Sequence, residues 1–373
     1  MHKIKNKKMK HKKKVGIFIV TTAIYIIASG NCIPKSVLEV TGDFLGISQT
    51  VRVTDSISEK IIKNELNYEL ASYDNQELNN RLVAEISNKF SLDAATLYTV
   101  KRLYEIPNNK TNQNTYNQYL KTLKSNQFPS EIAQLKDKYF LFIPGFAYKE
   151  DTTTGADFAR QRRLMTQLGI QNKLLEVGEF ALSEDNAKLI AAEIKEQSLL
   201  HKDIVLVSAS KGGLETAIAV GKLMNEEELK NVSAWVSVGG ILNGSPIADQ
   251  YLKAPKCWFA EFMLWTKGHN IEVVRDISHE RRQKDFQNLH FPKHLNIIHF
   301  VGVPLTSQVH DRIKGRYCSL HKEFGPNDGL TSITDELTTN GIVISELGLD
   351  HYFKDDDIDK KTLALACLTI QNK

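Results

Sequence analysis

"VLVSASKGGLETAIAV", residues 205–220, begins as an apolar run of strand length and ends as an amphipathic helix. Ser208, Ser210, Lys211, Gly212 and Gly213 are crowded into the join. A strand that turns this sharply into a helix needs small residues on both sides of the turn, because larger side chains would collide with neighbouring backbone. Ser208 and Gly212 stand two before and two after Ser210, and both are small. By this register Ser208 is a spacer and Ser210 points outward at the carboxyl end of a strand, where reactive groups collect in an open parallel sheet. A strand-to-helix turn also favours Ser and Gly for structural reasons, Ser as an N-cap, so the turn by itself leaves a structural role open.

The flanking sequence has one texture from Lys138 onward. "YFLFIPG", "DFARQRRLMTQLG", "NKLLEVG", "EDNAKLIAAEIKEQS", "DIVLVSAS", "GGLETAIAVGKLM" and "SAWVSVGG" alternate short apolar runs with amphipathic segments. This strand–helix alternation predicts an α/β fold, a mostly parallel sheet with helices on both faces. The near-continuous apolar runs are those of strands buried on both sides. "NIIHFVGVP" and "GIVISELG" supply two more strands, after an irregular stretch from about Asn243 to Lys293.

A serine hydroxyl needs a base to act as a nucleophile, and the base needs a group that fixes its tautomer. "FGPNDGLTS" comes after the strand "NIIHFVGVP", and "GLDHYF" directly follows "GIVISEL". Asp328, after an intervening stretch, and His351 thus come after later strands in the chain, with Asp350 as the alternative acid. Each has a plain reading too: "NDG" is a common turn.

Together these segments resemble the α/β-hydrolases. "SASKG" is similar to their nucleophile elbow G-x-S-x-G with serine in place of the first glycine, and the order Ser, acid, His is theirs. "VSVGGILNGSPIAD" (236–249), "PNDGLTS" and "LDHYF" are similar to segments of bacterial lipases and esterases; Ala209 stands where lipases with G-H-S-x-G carry histidine. The resemblance covers residues 138–373. It implies the α/β-hydrolase fold, with Ser210 as nucleophile, His351 as base and Asp328 as its orienter. It also implies an oxyanion hole from the Lys211 amide and an amide in "FIPGFAY", Phe146 or in its place Ala147. The implied activity is hydrolysis of a small-molecule or lipid-like carboxylic ester, without cofactor or metal. Thioesterase, acyltransferase and peptidase activity use the same residues, and a non-catalytic lipid or partner binder on this scaffold is the reading from another class.

Residues 244–291 are a candidate cap. "KCWFAEFMLWTKG" (256–268) places Trp258, Phe262 and Trp265 where they either contact an acyl chain or pack as a buried helix. "RDISHERRQKDF" (275–286) and the Lys211 side chain are expected to be solvated.

The formal charge of +4 is misleading, because the first fourteen residues hold eight lysines and no acid, leaving 40 basic against 44 acidic residues beyond them. The apolar run Val15–Ile27 that follows is shorter than the roughly 20 residues a bilayer span requires. With Ala28 and Gly30 it completes an export signal over residues 1–30, so the lysines are an address and not a nucleic-acid patch. The expected location is periplasmic or secreted. Cys32 could instead carry a lipid anchor, and peripheral membrane contact is left open. Cys257 and Cys318 either pair or stay free thiols. Residues 31–135 are expected to form a helical extension, with Ser91 as an N-cap and the Asn-rich "PNNKTNQNTYNQ" as an exposed connection. The hydrolase domain is expected over residues 136–373.

Overall fold

The computed structural model describes residues 36–65 and 68–371. The expected export signal and Cys32 lie outside the described residues.

The described chain opens not with a helix but with an antiparallel hairpin, β1 (Leu38–Phe44) and β2 (Ile47–Val53), turned at Leu45 (φ 55°) and Gly46 (φ 78°). Helices α1 (Ser56–Ile62), α2 (Asn80–Lys89), α3 (Leu92–Glu105) and α4 (Pro107–Lys124) follow. The Ser91 hydroxyl accepts the Ala94 N–H at 2.9 Å and caps α3. The Asn-rich stretch forms α4 rather than a connection.

Strand and helix then alternate: β3 (Tyr139–Ile143), α5 (Ala159–Gln167), β4 (Gln171–Leu174), α6 (Ser183–Ser198), β5 (Ile204–Ala209), α7 (Lys211–Ile218) and β6 (Val232–Val238). After the helix-rich region that contains α8 (Lys256–Thr266) come β7 (Asn296–Val303), α9 (Lys314–Phe324), β8 (Ile342–Leu347) and α10 (Ile358–Gln371). Strands β3–β8 form one parallel sheet in the order β4-β3-β5-β6-β7-β8.

Side-chain alternation divides the core between the two faces. Phe140, Phe142, Val205, Val207, Val236, Ile298 and Phe300 pack on one side with residues of α4, α5 and α10. Leu141, Ile143, Leu206, Trp235 and Ile297 pack on the other with α6 and α7. The N-terminal extension shares this core: Val301, Val303 and Val343 are buried against side chains of the hairpin, α1, α2 and α3.

The extension also covers the sheet's β8 edge. Asn109 Oδ1 accepts the Val343 N–H at 2.9 Å and Gln113 Oε1 the Ser345 N–H at 2.8 Å. Four residues along a helix rise about 6 Å, close to the roughly 6.7 Å of two strand residues. The spacing therefore matches two side-chain amides to alternate N–H groups of an edge that would otherwise be open to pairing.

Cys257, Cys318 and Cys367 are all free thiols, so the Cys257–Cys318 pairing does not occur. The charged segment 275–286 is not simply solvated. Arg282 is fully buried, held by Asp276 and by Glu184 at 2.8 and 3.0 Å, and the equally buried Asp276 accepts the Ser183 N–H and hydroxyl. A guanidinium enters a core only with its donors engaged in this way.

β3 has β4 on one side and β5 on the other, so the chain reverses its direction of travel across the sheet there. In open parallel sheets that switch leaves a crevice outside the carboxyl ends of the two diverging strands. Ser210 stands at that end of β5.

Candidate active site

The β5–α7 turn holds Ser210 at φ 52°, ψ −119°, a conformation that costs a non-glycine residue on the order of 1–3 kcal/mol and persists only where its surroundings impose it. Those surroundings are backbone bonds. The Ser210 N–H donates to Val238 O at 3.1 Å, and its carbonyl accepts the N–H of Gly213 at 2.9 Å and of Ile241 at 3.2 Å. Gly212 is required by close approach: a Cβ there would lie 2.5 Å from Pro144 O and 2.8 Å from Ile143 O.

Ser208 is more than a spacer. Its buried hydroxyl accepts the Trp235 indole N–H at 2.8 Å, tying β5 to β6. Ser208→Gly restores the smaller residue of the usual elbow but leaves that indole N–H buried without an acceptor. We expect a loss of about 1–3 kcal/mol of stability, read from urea unfolding.

Three side chains far apart in sequence meet here. His351 Nε2 lies 2.8 Å from Ser210 Oγ, and His351 Nδ1 is hydrogen-bonded to Asp328 Oδ2. Asp328 is completely buried; its Oδ1 accepts the N–H of Leu330 at 2.8 Å and of Thr331 at 2.9 Å, and its carbonyl accepts the His351 N–H at 3.0 Å. Asp350, the alternative acid, faces elsewhere: its oxygens accept the N–H groups of His310 at 2.9 Å and Tyr352 at 3.0 Å.

Phe146 and Ala147 follow β3 after Pro144 and Gly145 and line the same cavity as Ser210 and His351. A Cβ on neighbouring Gly145 would be 3.4 Å from Ser210 Cβ, so this loop crosses beside the serine. The Lys211 N–H belongs to the first turn of α7, whose amides have no partner within the helix. The cavity measures about 940 Å³; Phe158, Val238, Leu330, Phe353 and Ile358 give it apolar walls, and Arg160, Arg316, Lys354, Asp355 and Asp356 line it as well.

Two sequence expectations are corrected here. The Lys211 side chain is not solvated: only 2% exposed, it is paired with the equally buried Glu215 and donates to Ala181 O at 2.9 Å. Trp258, Phe262 and Trp265 are absent from the cavity wall; α8 turns them to solvent at 69%, 58% and 71% exposure. The buried-helix alternative fails as well, since no residue of α8 is buried.

Among the buried carboxyls that the sequence reading missed, Glu215 and Glu336 lie behind the site. Burial raises Glu215 to about 7, against the opposing pull of Lys211 and Asn186. Between its ordinary 4.5 and about 7 the folded chain retains a proton the unfolded chain has lost, so stability from this group falls as pH rises through that window. Glu215→Gln removes the titration, and urea midpoints at pH 5 and pH 8 should show the variant gaining on the parent at the higher pH. Glu336, with both oxygens unpartnered, is held well above the carboxylate range by burial and then by the charges of Asp328 and Asp335.

No protein-family model matches the sequence, and no curated protein matches it. Among solved structures the chain is similar to the metagenomic carboxyl esterase MGS0156, at 18% identity over 64% of this chain and 77% of that one, with a TM-score of 0.53. The Bacillus licheniformis lipase BlEst2 in its mature form is similar at 17% identity over 63% of this chain and 91% of that one, with a TM-score of 0.48. The parallel sheet, the sharp β5–α7 turn and the shared architecture with that carboxyl esterase give this chain the fold of the α/β-hydrolases.

Proposed function

We propose that the protein is an exported serine hydrolase that cleaves carboxylic esters with lipid-like acyl groups. The observation that carries the proposal is the continuous contact from Asp328 through His351 to Ser210, with Nε2 2.8 Å from Oγ. Asp328 accepts a hydrogen bond from Nδ1–H, which keeps the proton on that nitrogen and leaves the Nε2 lone pair facing the hydroxyl. His351 Nε2 takes the Oγ proton as Oγ bonds to the ester carbonyl carbon. The resulting oxyanion is met by the amide protons of Lys211 and Phe146. As the intermediate collapses, Nε2–H passes its proton to the departing alkoxide and the acyl group stays on Oγ. Water repeats the sequence and releases the acid.

The apolar walls of the cavity support an acyl substrate, and the fold shared with a carboxyl esterase agrees with an ester. The lysine-rich, apolar N-terminal sequence supports export.

A fluorophosphonate probe tests the proposal: Oγ displaces fluoride from phosphorus and the label stays on the protein. Labelling confined to Ser210 and lost in His351→Ala supports it, and labelling elsewhere or none overturns it. A panel of p-nitrophenyl esters of rising acyl length then assigns the chain length, and a short-chain preference overturns the lipid-like substrate.

A further inference from the structure

Eight of the eleven residues of α8 are apolar, a composition that belongs in a core, yet none of them is buried. Its inner face, with Cys257, Ala260, Met263 and Leu264, is half-buried against the protein. Its outer face carries Trp258, Phe262 and Trp265 at i, i+4 and i+7, with Phe259 beside them at 36% exposure. The Phe262 and Trp265 rings lie 6.2 Å apart. Soluble proteins rarely leave aromatic residues clustered in this way without a partner.

The surroundings of the stripe indicate which partner. Exposed Lys253 and Lys256 stand at its N-terminal end, Glu261 is the one acid within α8, and Lys267 at the other end is paired with Glu150, so the excess positive charge is carried by Lys253 and Lys256. The four rings expose on the order of 500 Å², the scale of apolar patch that marks a contact with a protein or a membrane. Tryptophan and phenylalanine with a lysine border have the composition of helices that lie in the headgroup region of a bilayer. Among the described residues no helix is long and apolar enough to cross a membrane.

The stripe is also joined to the cavity. Lys267, just past the end of α8, pairs with Glu150 at 2.8 Å in the segment that follows Phe146. His269 stacks on Phe180 with centroids 3.7 Å apart, and Phe180 meets Phe146 edge-on at 4.9 Å. Phe146 lines the cavity that holds Ser210.

We propose that α8 docks the protein on an anionic lipid surface. Trp258, Phe259, Phe262 and Trp265 enter the boundary between headgroups and acyl chains, and Lys253 and Lys256 meet the phosphates. Docking brings the cavity mouth to the lipid, so that a lipid ester has a short path to Ser210. The docking stands on the α8 surface alone; its catalytic consequence rests on the ester hydrolase reading.

The test uses the exported form of the chain carrying Ser210→Ala, with vesicles of phosphatidylcholine alone or mixed with phosphatidylglycerol. Sedimentation with the mixed vesicles, at least tenfold weaker with phosphatidylcholine alone or in high salt, is expected. Trp258 and Trp265 are two of the three tryptophans and Trp235 is buried, so binding should shift the emission to the blue. A triple variant, Trp258→Ser with Phe262→Ser and Trp265→Ser, should lose at least tenfold in binding. In the Ser210 background the same triple change should leave hydrolysis of soluble p-nitrophenyl butyrate unaltered. Lys253→Glu with Lys256→Glu should weaken binding to the mixed vesicles only. Undiminished binding by the triple variant, no binding by the parent, or a dimer that the triple variant dissociates would overturn the docking. Vesicle binding by a protein that cleaves no ester would overturn the hydrolase reading and leave the docking standing.

Discussion

Ser210→Ala is expected to lower ester hydrolysis by roughly 10³-fold or more in kcat/KM, the scale on which loss of the nucleophile acts when preorganised amides and substrate binding remain. Folding should be preserved. The serine hydroxyl has its hydrogen bond to His351, but the turn itself is fixed by the backbone bonds to Val238, Gly213 and Ile241. Alanine also meets the same backbone strain at φ 52° as serine does. Unchanged far-ultraviolet circular dichroism with hydrolysis lost is therefore the expected pair of results. Retained hydrolysis would move the nucleophile elsewhere. A shifted unfolding midpoint would mean that the hydroxyl contributes to stability through His351.

The features legible in the sequence are those with a local cause. The β5–α7 turn needs small residues at fixed offsets, so Ser208, Ser210 and Gly212 announce it; buried parallel strands have to be apolar, so β3, β5, β6, β7 and β8 read as runs. Ser210 and His351 read as parts of one constellation because each follows a strand, β5 and β8; Asp328 lies beyond α9 and is legible only by its place in the order Ser, acid, His. What was not legible depends on partners distant in the chain. The hairpin turn uses Leu45-Gly46, where Asn-Gly or Asp-Gly is the usual signal. Asn109 and Gln113 look like loop residues until the N–H groups of Val343 and Ser345 stand opposite them. Lys211 and Arg282 read as solvated charge because Ala181 O and Glu184, which hold them inside, lie 30 and 98 residues away. The outward face of α8 cannot be told from an inward one by spacing, since both faces of that helix are apolar.

Asp328→Asn is the second large effect expected, and its sign follows from which oxygen is already occupied. Asp328 Oδ1 accepts two backbone N–H groups, from Leu330 and Thr331, while Oδ2 faces His351 Nδ1. An asparagine here keeps its carbonyl oxygen on the two N–H donors, because its NH₂ group cannot accept them. The NH₂ group is thereby turned toward Nδ1 and donates to it. The imidazole must then carry its proton on Nε2, the nitrogen 2.8 Å from Ser210 Oγ. A protonated Nε2 cannot take the hydroxyl proton, so hydrolysis should fall by roughly 10³–10⁴-fold with the chain still folded. Asp350→Asn is the matched control. Its carboxylate serves the N–H groups of His310 and Tyr352, so its loss should appear in the unfolding midpoint and leave the rate within a few-fold. Were the two variants to exchange these outcomes, the acid that orients His351 would be Asp350.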